Sequence, residues 1–225
     1  MPRATFGSKV IEFYRTLRAP RLHGLGVDAL YPFRDPLVRQ LVAAFYSRFF
    51  DDVNPRRYVI GINPGRFGGG TTGIPFTDPV SLSEQCGIAN PLPRRRELSA
   101  IFVEALIERF GGPRNFYRQY FITAASPIGF TRDGKNYNYY DSPELLNRLR
   151  PFIGRTLQQQ LDFGAHRDVA VVLGTGKNLA FLGRLNDELR LFGKLVAVDH
   201  PRFIMQYRRP HMQRFLDKYE LALTG

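Results

Sequence analysis

The chain has 225 residues, 44% of them hydrophobic, which suits one globular domain around one core. Its formal net charge is +12, with 32 Lys and Arg against 20 Asp and Glu, and such a surplus favours a polyanionic partner: DNA, RNA or anionic lipid. A lone cysteine, Cys86, excludes an internal disulfide and a cysteine-cluster metal site; no apolar run approaches the roughly 20 residues of a membrane span, and Met1 to Ser8 lack the apolar stretch of a secretory leader.

Apolar residues three and four apart predict helices over Val10–Arg18 and Leu37–Phe50. Asp51-Asp52-Val53-Asn54-Pro55 breaks that pattern. Tyr58 to Ile62 reads as a buried strand that runs into the loop Asn63-Pro64-Gly65. Glu97 to Phe110 is an amphipathic helix stopped by Gly111-Gly112-Pro113, and Tyr120 to Thr123 is a second strand. Ser142, as N-cap before Pro143, opens a long helix through about Leu161. Val169 to Leu173 is a third strand, followed by Gly174-Thr175-Gly176 and a helix to about Leu191. Leu195 to Val198 is a fourth strand ending at Asp199-His200-Pro201, and Pro210 to Leu223 closes the chain as a helix. There is no internal repeat, low-complexity tract or linker, so residues 1–225 read as one domain, with a helical part (1–56) before a motif-bearing core (57–225).

Strands alternating with helices imply a mostly parallel sheet with helices on both faces. Ligands of such sheets sit beyond the carboxyl ends of the strands. Three polar loops follow strands directly: Asn63-Pro64-Gly65, Ser126-Pro127 and Asp199-His200-Pro201. An α/β fold therefore gathers them at one edge.

The segment Gly61 to Phe76 holds six glycines and two prolines in sixteen residues, which excludes a helix or regular strand throughout. Its turns expose backbone amides to a planar or anionic ligand, and the Asn63 amide, both donor and acceptor, can hold a water against that ligand. No Lys-Ser/Thr follows the glycines, so this is not a phosphate-binding P-loop, and Pro64 and Pro75 disrupt a dinucleotide-binding fingerprint. His200 follows a buried strand, where an imidazole can donate to a developing oxyanion. His23, His166 and His211 lack metal-ligand spacing, so no metal is expected. Cys86 reads as a small buried side chain rather than a nucleophile. Arg94-Arg95-Arg96 is either a solvated helix start or a phosphate contact. Asn136-Tyr137-Asn138-Tyr139-Tyr140 either stacks on bases or packs against its own domain.

Gly61-Ile62-Asn63-Pro64-Gly65 through Gly73-Ile74-Pro75-Phe76, paired with His200-Pro201, resembles the motifs of the single-strand-selective monofunctional uracil-DNA glycosylases, a branch of the uracil-DNA glycosylase superfamily. Phe121 to Ile128 resembles the branch's middle segment, and Gly134-Lys135-Asn136 follows at about the branch's spacing. The resemblance spans roughly Tyr58 to Arg214. It implies a three-layer α/β/α fold with a central four-stranded, mostly parallel sheet. It also implies hydrolysis of the N-glycosidic bond of uracil or a related modified base in DNA, by base flipping, without a cofactor or lyase chemistry. In such an enzyme Asn63 positions the water and His200 bonds the leaving base. Phe76 stacks on that base, the Ile62 amide binds its edge, and Gly65 leaves room for it.

Two positions depart from the branch. Ala124 stands where it carries a pyrimidine-reading Asn, leaving Thr123, Ser126 or a water as substitutes. Arg202-Phe203 replaces Ser-Pro after His-Pro, leaving Arg202 or Phe203 as the wedge into the duplex. Arg66, Gly68, Gly69, Arg202, Phe203, Arg208 and Arg209 are expected to contact DNA. A monomer in the cytoplasm, with the nucleoid if bacterial, is the matching expectation. The alternatives are a catalytically inactive DNA- or RNA-binding module on the same fold, and a nucleotide-binding α/β protein using the Gly-rich loop.

Overall fold

The structure, a computed structural model, describes residues 4–225. Met1–Arg3, part of the Met1–Ser8 stretch in which no secretory leader is expected, lie outside the described residues. Helix α1 (Phe6–Thr16) starts where Thr5 Oγ1 accepts from Ser8 N at 3.1 Å. After a short strand β1 (Asp28–Leu30) comes α2 (Pro36–Phe49), capped by Asp35 with Pro36 in its first turn. The amides of Phe6 and Gly7 donate to Asp52 O and Phe50 O, both at 2.7 Å, which ties the start of α1 to the end of α2.

The main sheet is built from β2 (Arg56–Gly61), β3 (Tyr120–Ala124), β6 (Ala165–Leu173) and β7 (Lys194–Val198), in the order β3-β2-β6-β7. Every pairing is parallel, so the expectation of a mostly parallel sheet resolves to a wholly parallel one. A parallel strand cannot return by a hairpin, so each connection carries helix. Between β2 and β3 lie the short helices α3 (Gly69–Thr72) and α4 (Pro79–Glu84), then α5 (Leu98–Arg109) and α6 (Pro113–Tyr117). Helix α7 (Pro143–Leu161) precedes β6 and α8 (Lys177–Leu189) precedes β7. Helices α9 (Pro201–Tyr207) and α10 (Met212–Thr224) close the chain. Ser142 caps α7 as expected, accepting from Leu145 N at 3.3 Å.

A second sheet departs from the sequence reading. β1, β4 (Gly129–Arg132) and β5 (Lys135–Tyr137) form a small antiparallel sheet in the order β1-β4-β5. Its strands are three or four residues long, too short to print an alternating pattern. The β4–β5 turn carries Asp133 and Gly134 at φ 51° and 67°, the left-handed pair that a two-residue hairpin loop requires.

The core runs from α1 to α10. Phe6 is its hinge: its ring lies 5.1–6.5 Å from those of Phe50, Tyr58, Phe121 and Phe163, joining the N-terminal helices to the sheet. Arg56, at the start of β2, is fully buried beside it. Its guanidinium pairs with Asp52, donates to Tyr117 O at 3.1 Å and lies 5.0 Å from the Phe6 ring centroid. So the basic surplus is not all surface: at least one cation is a core tie. Removing one partner of such a tie leaves the other uncompensated. Arg56→Met is expected to lower stability by about 3 kcal/mol. A urea midpoint that falls with an unchanged denaturant slope checks this.

Candidate active site

The register of the sheet assembles the site. Gly61 pairs with Ala124, and Leu173 with Val198, so the strands end on one edge. Asn63, Ser126 and His200 each lie two residues beyond the last paired residue of their own strand. With neighbouring strands about 4.8 Å apart, the ends of β2 and β7 are about 10 Å apart across β6. Past β6 the chain turns at Gly174, whose φ is 112°.

Phe76 links the two strand ends. A Cβ on Gly61 would come within 2.7 Å of the Phe76 ring, so the ring packs against the end of β2. Its centroid is 5.7 Å from that of His200. Phe76 holds φ at 54°, a left-handed conformation that a bulky residue adopts only when its surroundings impose it. Gly61 is therefore glycine because an aromatic ring takes its side-chain space.

Asn63 is fixed by backbone alone. Its Oδ1 accepts from Tyr139 N at 3.1 Å and its Nδ2 donates to Tyr137 O at 3.3 Å. The second lone pair of Oδ1 remains to orient a water. The segment after β5 supplies both partners, which decides between the two readings of Asn136 to Tyr140. Tyr139 is fully buried, with its hydroxyl donating to Asn178 Oδ1 at 2.8 Å. The Tyr137 hydroxyl accepts from Arg132 Nη1, also at 2.8 Å. The segment packs inward and holds Asn63.

His200 caps α9. Its Nδ1 accepts from Arg202 N at 3.1 Å, which leaves the proton on Nε2 and makes that atom the donor. Burial, with Arg202 beside it, pushes the imidazole down to about 4. The ring is thus neutral near pH 7 and retains a donor for a base oxygen.

The middle strand offers no amide. Ala124 is buried at the end of β3. Thr123, one residue earlier, points to the other face and bonds Gln160 Oε1 in α7. The Ser126 hydroxyl donates to Ile128 O at 2.8 Å. Both substitutes for the missing Asn are therefore committed inside the fold.

Gly65 and Gly68 have an unexpected neighbour. A Cβ on Gly65 would meet Glu97 Oε1 at 2.6 Å, and one on Gly68 would overlap Glu97 Oε2. The space opposite Gly65 is filled by a carboxyl group rather than left open. Sequence reading treated Glu97 only as a helix start; nothing local marks this contact between the Gly-rich loop and α5. Burial, opposed by Arg202 and reinforced by Asp78, raises that carboxyl to about 7.

The cations expected to meet DNA fall into two sets. Arg94 pairs with Glu84 at 2.5 Å, and Arg96 pairs with Glu104. Two of the three consecutive arginines are thus committed internally. Arg66 and Arg95 flank the Phe67 ring at 4.4 and 3.6 Å, while the Arg66 guanidinium also donates to Gly134 O. Arg202, Arg208 and Arg209 are exposed. Gly68 and Gly69 are buried. Phe203 and Tyr207 are exposed aromatics one turn apart on α9, with ring centroids 5.5 Å apart. Cys86 is buried and its thiol is pushed up to about 12, chiefly by desolvation, as a structural cysteine should be.

A family model described as the uracil DNA glycosylase superfamily matches residues 47–224. The chain belongs to the uracil DNA glycosylase superfamily. A solved structure, the crystal structure of wild-type Pedobacter heparinus SMUG2, superposes with a TM-score of 0.93 at 40% identity, covering 96% of each chain. Among curated proteins there is no match. The fold of this superfamily member agrees with the three-layer expectation, its four-stranded parallel sheet being flanked by helices.

The imidazole generates a test. His200 titrates below the ordinary 6.5, so the unfolded chain takes up a proton first as pH falls. The stability tied to neutral His200 is full above about 6.5 and is lost as pH falls toward about 4. Imidazole NMR shifts are expected to place its midpoint near 4, apart from the other histidines; a midpoint near 6.5 would exclude the buried neutral donor.

Proposed function

We propose that the chain is a monofunctional DNA glycosylase that hydrolyses the N-glycosidic bond of uracil, or a related modified base, in DNA. The observation that carries this is the meeting of three residues at one end of the sheet: Phe76 packs against Gly61 at the end of β2 with its ring centroid 5.7 Å from that of His200, and Asn63 follows β2 with its amide held by backbone. In the reaction, the target base leaves the stack, since its reactive bond is out of reach inside a duplex. Its ring lies on Phe76. As the bond stretches, negative charge grows on the base and positive charge on the sugar. Neutral His200 donates from Nε2 to the base oxygen, and a donor so placed is worth roughly 3 kcal/mol. Asn63 Oδ1 orients the water that attacks the sugar carbon. The Ile62 amide binds the base edge. With Asn63 at the end of β2 rather than a lysine, no Schiff base forms and the strand stays intact.

Ala124 gives the base edge no side-chain amide, so selectivity rests on backbone, ordered water and shape. Arg66, Arg202, Arg208 and Arg209 meet phosphates, and the exposed pair Phe203 and Tyr207 stacks on bases beside the extruded one. The expected setting is a cytoplasmic monomer acting on DNA. Among the described residues no helix is long and apolar enough to cross a membrane.

The purified protein is expected to create alkali-labile sites in uracil-containing oligonucleotides without added metal. Asn63→Ala and His200→Ala should each slow single-turnover base release by roughly 10²- to 10³-fold while melting within a few degrees of wild type. Undiminished release by both variants would remove the assigned roles. Salt-sensitive DNA binding with no release from any modified oligonucleotide would instead favour an inactive binding module, the reading that buried Ala124 supports.

A further inference from the structure

A cavity in the corner between α9 and α10 has no part in the reaction just described. It measures about 380 Å³ and is lined by Tyr207, Arg208, His211, Arg214, Phe215 and Lys218, a volume within the range of pockets that hold a small molecule. Backbone sets the corner: Pro210 fixes the turn, and His211 N donates to Arg208 O at 2.8 Å. His211, Arg214, Phe215 and Lys218 follow one another at the three- and four-residue spacing of a single helix face. Helix α10 thus turns a basic stripe with one aromatic ring toward the cavity, and Tyr207, 58% exposed, supplies a second ring from the end of α9.

Little of this charge is compensated. The acids of α10, Asp217 and Glu220, pair with Arg109 of α5 at 2.6 and 3.2 Å. Lys218 Nζ lies 4.0 Å from Asp199 Oδ2 and 5.1 Å from the Phe215 ring centroid. Arg214 is exposed and, among the described residues, pairs with no carboxylate. Four residues apart on α10, Arg214 and Lys218 repel each other, and an anion in the cavity relieves that repulsion. The cavity is also tied to the reaction centre. Asp199 precedes His200, and its carbonyl accepts from the Tyr219 hydroxyl of α10 at 2.5 Å. Helix α9 begins beside His200 and ends at Tyr207 after 7 residues, a span of about 10 Å. At about 3.4 Å per step, this is about three nucleotides of a stacked strand.

We propose that the cavity is a second nucleotide seat for the strand that carries the target base. One flanking nucleotide, about three positions from the excised one, rests its phosphate on Arg214 and Lys218 and its base on Tyr207 and Phe215. This rests on the DNA-acting reading above. Cations alone would accept any anion, and exposed rings alone any apolar group. Both around one cavity match a phosphate joined to a planar base. A duplex keeps its base faces stacked on one another, so the seat takes single-stranded DNA. It strengthens binding and leaves the bond-breaking step to Asn63 and His200.

Fluorescence anisotropy tests this with single-stranded oligonucleotides carrying one 2′-fluorinated deoxyuridine, whose glycosidic bond resists hydrolysis, lengthened one nucleotide at a time on either side. Wild type is expected to gain several-fold in affinity at one added nucleotide, on one side only and about three positions out. Arg214→Glu should lose that step, and its slope of log affinity against log salt should become shallower by about 0.7, the share of one phosphate on a single strand. An abasic residue at the step position should weaken binding by wild type but not by Tyr207→Ala. Arg155→Glu, the same charge change in the groove between α7 and α1, should leave the step in place. Equal effects of the two charge reversals, or a gradual gain on both sides, overturn the proposal. So does an Arg214-dependent dimer in sedimentation, which would give the cavity to a second copy of the chain. The step without base release from any uracil-containing oligonucleotide would refute the glycosylase reading and leave the seat standing.

Discussion

Four parallel strands ending on one edge are the constraint from which the rest of the molecule follows. Parallel pairing forbids tight hairpins, so each strand must release its chain into a crossover beyond that edge. The loops that result are polar segments brought together by the sheet, while both sheet faces are covered by helix and committed to core. Asn63 and His200 lie 137 positions apart in the chain, yet their strands differ by two places in the sheet order. The edge is about 10 Å across from β2 to β7, and the Phe76 ring lies between Gly61 and His200 along it.

Loops so placed are floppy unless something fixes them, and the molecule does this in two ways. The small antiparallel sheet delivers the backbone of Tyr137 and Tyr139 to the Asn63 amide. Backbone partners are more rigid than side chains, so the amide is oriented before any ligand arrives. The second device is steric. Phe76, held in a left-handed conformation against Gly61, can neither move down into the strand nor rotate freely. Strain of this kind, of order 1–3 kcal/mol, is carried by the well-packed sheet beneath.

The parallel strands were legible because both of their faces are buried: Tyr58 to Ile62 and Val169 to Leu173 print as unbroken apolar runs. The caps at Ser142 and the loop Asn63-Pro64-Gly65 were legible for a similar reason, since the backbone demands particular residue types there. What escaped was tertiary. β1, β4 and β5 are too short to carry a period. Arg56 looks like any surface arginine next to Arg57, and only the aromatic cage of Phe6 and Phe50 makes it a core residue. The Arg94 and Arg96 ion pairs depend on where α4 and α5 lie, which no local pattern encodes.

The glycines show why a motif underdetermines a site. A glycine records that some atom needs the space of a side chain, not which atom. Gly61 yields its space to Phe76, while Gly65 and Gly68 yield theirs to Glu97. A glycine-rich loop beside a ligand crevice invites the inference that the ligand fills the gaps, and at these three positions the protein fills them itself. The same holds for charge. A surplus of +12 announces an anionic partner but not its contact points, because Arg56, Arg94 and Arg96 are already paired with carboxylates. Of the exposed cations, the set around α9 and the Gly-rich loop lies nearest Asn63 and His200 in the chain.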